Sequence, residues 1–177
     1  MTRGQLDTWM PYDDPIKTAS ILDSKRLGAQ IFEGIHILAS LLRFEDYLVN
    51  PKKSTRQYET TRIWKSYEKD LLYWYLKPMI LEWQRRGFNW KGTVNERNIN
   101  RISKFMKKNH YRPITGSPPW VCKEVCESHK SELVRRAPEI YAELFLGVDL
   151  SLPFIYQYKD RDKLSQPSNK QGRIKLW

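Results

Sequence analysis

The sequence is short of cysteine, glycine and acidic residues: 177 residues include two Cys, eight Gly and 20 Asp plus Glu, set against 31 Lys plus Arg. Two cysteines make no disulfide framework. Cys122 and Cys126 stand four apart, on one face of a helix, as thiols that a reducing compartment keeps free. Eight glycines exclude a collagen-like chain. Gly-rich phosphate loops, the nucleophile elbow and paired zinc-ligand motifs are absent, which removes most common enzyme classes. Asp7, Asp13 and Asp14 interrupt the first twenty residues, where no apolar run forms a secretory signal or a membrane span. The expected location is cytoplasmic, away from membranes. The shortage of acids leaves a formal charge of +11, attractive to polyanions such as nucleic acid.

Aromatic residues are plentiful, with seven Trp, ten Tyr and six Phe. They can fill a core, and the chain length suits one domain or one with a tail. Leu27, Ile31, Ile35, Leu38 and Leu42 recur at the period of an amphipathic helix over 21–42. Asp23, Arg26, Gln30 and Glu33 share its polar stripe. A basic loop is expected over 44–58, then a second helical stretch from Thr60 to Arg86, kinked or divided at Pro78 and stopped by Gly87. Between Glu96 and Asn109 the residues Arg97, Arg101, Lys104 and Lys108 form a cationic ridge, while Ile99, Ile102 and Met106 project the other way. Like charges on one helix face cost about 0.2–0.5 kcal/mol per pair, so the ridge suggests an external anion, the alternative being a plain solvated face. Ser117 and Pro118 read as the N-cap and first residue of a helix running to about Arg136. Pro138 opens a shorter helix through Phe145 that ends at Gly147. No segment alternates as a strand does. The expected fold is mainly α, a single compact helical domain over 1–158. A basic polar tail, 159–177, has too few apolar residues to order itself.

Three groups are candidates for chemistry. Cys122, Cys126 and His129 form C-x3-C-x2-H, but a structural zinc takes four ligands and the other histidines are only His36 and His110. No metal is expected. Thr2 follows Met1 and is small enough for an aminopeptidase to expose its α-amine, whose pKa of about 8 leaves a nucleophilic fraction at neutral pH. Glu33 lies mid-helix in the polar stripe, where a carboxylate can face a cleft or simply meet solvent.

The run Asp23, Arg26, Leu27, Gly28, Gln30, Glu33 resembles the D-x-x-R-L-G-x-Q-x-x-E pattern of the pyrimidine dimer DNA glycosylase family, also called the phage endonuclease V family. Trp64, Tyr67 and Glu68, then Glu82, Trp83, Arg86, Gly87 and Phe88, resemble its W-x-x-Y-E and E-W-x-x-R-G-[FY] blocks. Pro118, Trp120, Ser128, His129, Pro138, Tyr141, Phe145 and Gly147 resemble the C-terminal block of its cellular branch. The likeness covers about residues 8–156.

The resemblance implies a small helical DNA-repair glycosylase with abasic-site lyase activity, acting on pyrimidine dimers or another damaged pyrimidine in duplex DNA. It places the catalytic glutamate on Glu33 and the attacking amine on Thr2, with Arg3 beside it. His36 falls where phage members carry an arginine one turn after the glutamate. Together with Lys25, Arg26, Gln30 and the ridge Arg97, Arg101, Lys104 and Lys108, these residues are the expected contacts to damaged double-stranded DNA. No organic cofactor is implied, and a monomer is expected. A glycosylase for a different modified base, and a non-catalytic DNA-binding module of the same fold, are open alternatives. Moving a base out of the stack costs a few kcal/mol, and an aromatic side chain can fill the gap. Trp64, at helical spacing, is expected in the core instead.

Overall fold

The computed structural model describes residues 8–49, 59–65, 67–110, 118 and 120–154. Thr2, Arg3, Ser117, most of the expected basic loop and the expected tail 159–177 lie outside the described residues. Within them the chain is helical and contains no strand.

The helix expected over 21–42 is present, and a shorter one, not expected, precedes it. Asp14 caps α1 (Pro15–Ile21), its carboxylate accepting from the Ile16 and Lys17 amides. Leu22 is extended, and Asp23 restarts the chain as the N-cap of α2 (Ser24–Leu41), accepting from the Arg26 amide at 3.0 Å. A carboxylate that satisfies an orphan amide and meets the positive end of the helix dipole stabilises such a start by about 1 kcal/mol. The apolar stripe lies where its spacing predicts: Leu27, Ile31, Ile35 and Leu38 are buried, each contributing about 2 kcal/mol through the surface it removes from water.

The second expected helix is divided in more places than Pro78 explains. α3 (Glu59–Ile63) ends before Trp64, and α4 (Glu68–Asp70) leads into a π-helical segment, Leu71–Leu76, and then α5 (Lys77–Arg85). Pro78 has no N–H to return to the preceding turn, and that turn widens so that the Lys77 amide reaches back to the Leu72 carbonyl. Gly87, at φ 82°, ends the stretch as expected, its amide on the Gln84 carbonyl and that of Phe88 on Trp83.

α6 (Val94–Lys108) starts at Thr93, whose hydroxyl accepts from the Glu96 amide while the Glu96 carboxylate reaches back to the Gly92 amide. Pro118 does not open a helix. It starts a turn closed by the Val121 amide, and α7 (Lys123–Arg136) begins five residues later with Cys122 as N-cap. Pro119 follows Pro118 and disfavours the helical region there. α8 (Pro138–Tyr141) is shorter than expected; turns carry the chain from Ala142 to Gly147 at φ 78°.

α2 is the axis of the molecule. It packs against α3, α5, the π segment and α6. Thr8, Trp9 and Met10 thread between α2 and α7: the Trp9 amide donates to Gln30 Oε1 and the Met10 amide to His129 Nδ1, both at 2.8 Å. Trp64 is fully buried, edge-on to Trp120 at 5.0 Å between ring centres, in the core as expected.

Candidate active site and nucleic-acid interface

The polar stripe of α2 divides along its length. Lys25 and Ala29 are exposed, Glu33 is half-buried, and every residue from Gly34 to Ser40 is buried. Glu33 therefore occupies the last partly open position before the helix sinks into the core, where a carboxylate is beside water yet bordered by a low-dielectric wall.

Gln30 and His36 do not belong to the surface where DNA contacts were expected. Gln30 is 2% exposed. Its Oε1 accepts from the Trp9 amide and from the Tyr75 hydroxyl at 2.5 Å, and the same hydroxyl lies 3.0 Å from the Trp9 carbonyl. This fixes the N-terminal segment to the helix, because a buried amide group left without partners costs about 1–3 kcal/mol. His36 is likewise buried, with its ring 4.5 Å from that of Phe32. Both are core positions: periodicity puts Gln30 on the polar face and the resemblance puts His36 in the place of an arginine, but Trp9 and Tyr75 cover Gln30, and His36 lies in the buried half of α2.

Arg26 is also engaged internally. Its Nη1 lies 2.5 Å from the Asp23 carboxylate, and its guanidinium faces the Tyr141 ring. Asp23 further accepts from the Tyr141 hydroxyl at 2.7 Å, and that hydroxyl accepts from the Asp23 amide at 2.9 Å. Burial opposes ionisation of Asp23, but the Arg26 and Tyr141 hydrogen bonds outweigh it and hold the carboxyl below its usual value. Burial, with the carboxylate beside it, pushes the Tyr141 hydroxyl up to about 12. The cluster clamps α8 to the start of α2.

A second clamp joins α5 to α1. Glu82 binds Arg85 at 2.6 Å and Arg86 at 2.7 Å. Arg86 in turn donates to the Ala19 and Ser20 carbonyls at 3.1 and 3.0 Å, satisfying acceptors at the C-terminal end of α1. The Arg85 hydrogen bond, opposed by burial and joined by Arg86, holds the Glu82 carboxyl at about 2. Between the clamps, Gly28 permits the closest approach: a Cβ there would stand 3.0 Å from the Trp83 ring, which stacks on Phe88 at 4.2 Å. The D-x-x-R-L-G and E-W-x-x-R-G-F blocks are thus two sides of one helix contact. Tyr141 and the Arg86 clamp were not singled out as site residues, and no local periodicity reveals partners 118 and 66 positions away.

The α6 ridge is as expected. Arg97, Arg101, Lys104 and Lys108 are all exposed, while Ile102 and Met106 are buried. Arg97 donates to the Gly92 carbonyl and Arg101 to the Tyr47 carbonyl, at 2.7 and 2.8 Å. These bonds orient two guanidinium groups, and among the described residues no carboxylate pairs with them. Such a row is suited to phosphates.

The cysteine cluster has a different character. His129 is fully buried, and its Nδ1 is taken by the Met10 amide. Cys122 and Cys126 line a cleft of about 220 Å³ with Tyr12, Asp13, Glu127 and Lys130. Burial first, then Asp13, pushes the Cys126 thiol up to about 12, so it stays a neutral thiol and a poor ligand or nucleophile. Among the described residues no group of three or more His, Cys, Asp and Glu side chains could hold a metal ion, and no helix is long and apolar enough to cross a membrane.

Among known proteins, the family described as pyrimidine dimer DNA glycosylase matches residues 6–96. That span contains α1 to α5, both clamps' acidic centres and Glu33. No curated protein and no solved structure matches the chain.

Proposed function

From the premise that the chain belongs to the pyrimidine dimer DNA glycosylase family, we propose that it excises damaged pyrimidines from duplex DNA through an imine and then cleaves the abasic site. The Thr2 α-amine attacks C1′ of the damaged nucleotide, and the bond from C1′ to the base nitrogen breaks with its electrons leaving on the base. Opening of the sugar gives an imine. Loss of a C2′ proton then expels the 3′ phosphate by β-elimination. Glu33 stabilises the cationic character that develops at C1′ and moves the protons. The exposed ridge of α6 binds the phosphate backbone, and the chain acts as a monomer.

The observation that carries this reading is the anchorage of Trp9 on Gln30, one helical turn before Glu33. Trp9 follows Thr2 by seven positions, a span of at most about 25 Å when extended. Gln30 and Glu33 are about 4.5 Å apart along the helix axis. The anchor therefore fixes Trp9 on α2 within one turn of the carboxylate, which supports an attack by an amine seven positions earlier.

The test is borohydride reduction of the protein mixed with ultraviolet-irradiated duplex DNA, followed by mass mapping of the adduct. An adduct on the Thr2 amine is expected. In Glu33→Gln, which keeps the shape and removes the charge, nicking at dimers should fall about 10²- to 10⁴-fold while DNA binding persists. An adduct on a lysine keeps the reaction class and moves the amine. The absence of any adduct, on irradiated and abasic DNA alike, overturns the lyase reading.

A further inference from the structure

Among the aromatic residues, one combines exposure with a rigid mount. Tyr47 is 63% exposed at the end of a 3-10 turn, Glu45–Tyr47, which follows α2. Its ring stacks on Phe44, with centres 4.9 Å apart and planes inclined by 29°, and Phe44 lies 5.0 Å from Phe105 of α6. The three rings form a column whose middle member is buried: Phe44 is 9% exposed, Phe105 is half-buried on α6, and Tyr47 is the end with the most open face.

The backbone under that ring is pinned from α6. Arg101 donates to the Tyr47 carbonyl at 2.8 Å, and the Asn98 amide group holds Val49 on both sides, accepting from its N–H at 2.8 Å and donating to its carbonyl at 3.3 Å. Phe105 is four residues from Arg101 and one from Lys104, so the column rises along the border of the cationic ridge. Arg43, exposed and in the left-handed region at φ 53°, stands at the start of the same turn, which also carries exposed Asp46. A single exposed tyrosine needs no explanation on a soluble surface. A tyrosine held as the outer member of a ring stack, on a segment fastened to a row of phosphate-binding cations, has the parts of a base-stacking platform: a fixed π face and a backbone track beside it.

We propose that Tyr47 is a nucleobase-binding residue, taking a base that damage or enzyme-induced distortion has unstacked while Arg101 and its neighbours hold the adjoining phosphates. This rests on the reading of the protein as a damaged-DNA glycosylase and adds a subsite to it. An undamaged duplex keeps its bases stacked and offers the ring nothing, so the platform contributes to the preference for damaged DNA.

The experiment measures binding to a duplex carrying one thymine dimer and to the same duplex undamaged, across a range of salt concentrations, for the wild type, Tyr47→Ala and Tyr47→Phe. Tyr47→Ala should weaken binding to the dimer duplex by about five- to a hundredfold. Its affinity for the undamaged duplex and the salt slope should be unchanged, since no charge is removed. Tyr47→Phe keeps the ring and should stay close to wild type. Unchanged thermal melting of Tyr47→Ala is expected from its exposure. If the wild type prefers the dimer duplex and Tyr47→Ala prefers it equally, the platform is overturned and the glycosylase reading stands. A uniform loss on both duplexes with a shallower slope makes the turn a backbone contact and also overturns it. A wild type with no preference for the dimer overturns both.

Discussion

The junction of α1, α2 and α5 and the outer face of α6 are built from similar residues and use them in opposite ways. At the junction Arg26 is held by Asp23, and Arg85 and Arg86 by Glu82. On α6, Arg97 and Arg101 are directed by backbone carbonyls, and among the described residues no ion pair engages Arg97, Arg101, Lys104 or Lys108. Guanidinium groups at the junction have spent their charge on assembling helices. Those on α6 meet no carboxylate among the described residues. The basic composition alone does not separate the two sets, because the Asp23 partner of Arg26 is seen only in the fold. Substitutions at the junction should therefore cost stability, and substitutions on the ridge should cost binding.

The largest loss of stability is expected for Glu82→Ala, which leaves the half-buried Arg86 without its carboxylate. Removing one member of such a pair costs about 3 kcal/mol, at the low end for the class because the Ala19 and Ser20 carbonyls still accept from Arg86. Urea unfolding at neutral pH measures it. Acid should reveal the same interaction. The Glu82 carboxyl is held at about 2 against an ordinary 4.5, so its contribution is fully present above about 4.5 and fades as pH falls through about 2. Glu82→Gln has no charge to lose, and its stability should change less between pH 5 and 2. Equal profiles would mean that Glu82 does not hold the junction through its charge.

A smaller loss is expected for Gly34→Ala. A Cβ there would lie within hard contact of the nearest methyl group of the buried Leu76 side chain. Overpacking of this kind costs about 1–3 kcal/mol. If the clash is the cause, Leu76→Ala in the same chain should make the double variant less destabilised than the sum of the two single ones. Additive costs would place the effect elsewhere than between α2 and the π segment.

The sequence shows those features that repeat along a single helix. The apolar stripe of α2, the ridge of α6 and the stop at Gly87 follow from spacing and residue type, and they lie where expected. It hides features created by distant segments. Gln30 is a polar position by periodicity and becomes core because Trp9 and Tyr75 cover it, while His36, placed by the resemblance, lies in the buried half of α2. The π turn before Pro78 needs the whole helix to be known, since proline predicts a break without saying how the chain repairs it. The start of α7 was misread from a capping pattern that a second proline cancels. Of the candidate site, Glu33 and the ridge are described, while Thr2 and Arg3 lie outside the described residues, and their part in the chemistry rests on the resemblance and on the anchor at Trp9.

The smallest loss of stability is expected from Arg101→Ala with Lys104→Ala, and this pair sharpens the comparison most. Both side chains are exposed, and removing two members of a like-charged row relieves repulsion of about 0.2–0.5 kcal/mol per pair. Loss of the Arg101 bond to the Tyr47 carbonyl opposes that gain, so urea unfolding should change by less than about 0.5 kcal/mol. DNA binding should change much more. Each phosphate contact contributes about 0.9 to the slope of log K against log salt, so two lost contacts make the slope shallower by about 2. A double variant with wild-type stability and a reduced slope would show that α6 carries charge for DNA and not for folding. If the slope is unchanged, the ridge faces only solvent, and the phosphate track must be sought on another face.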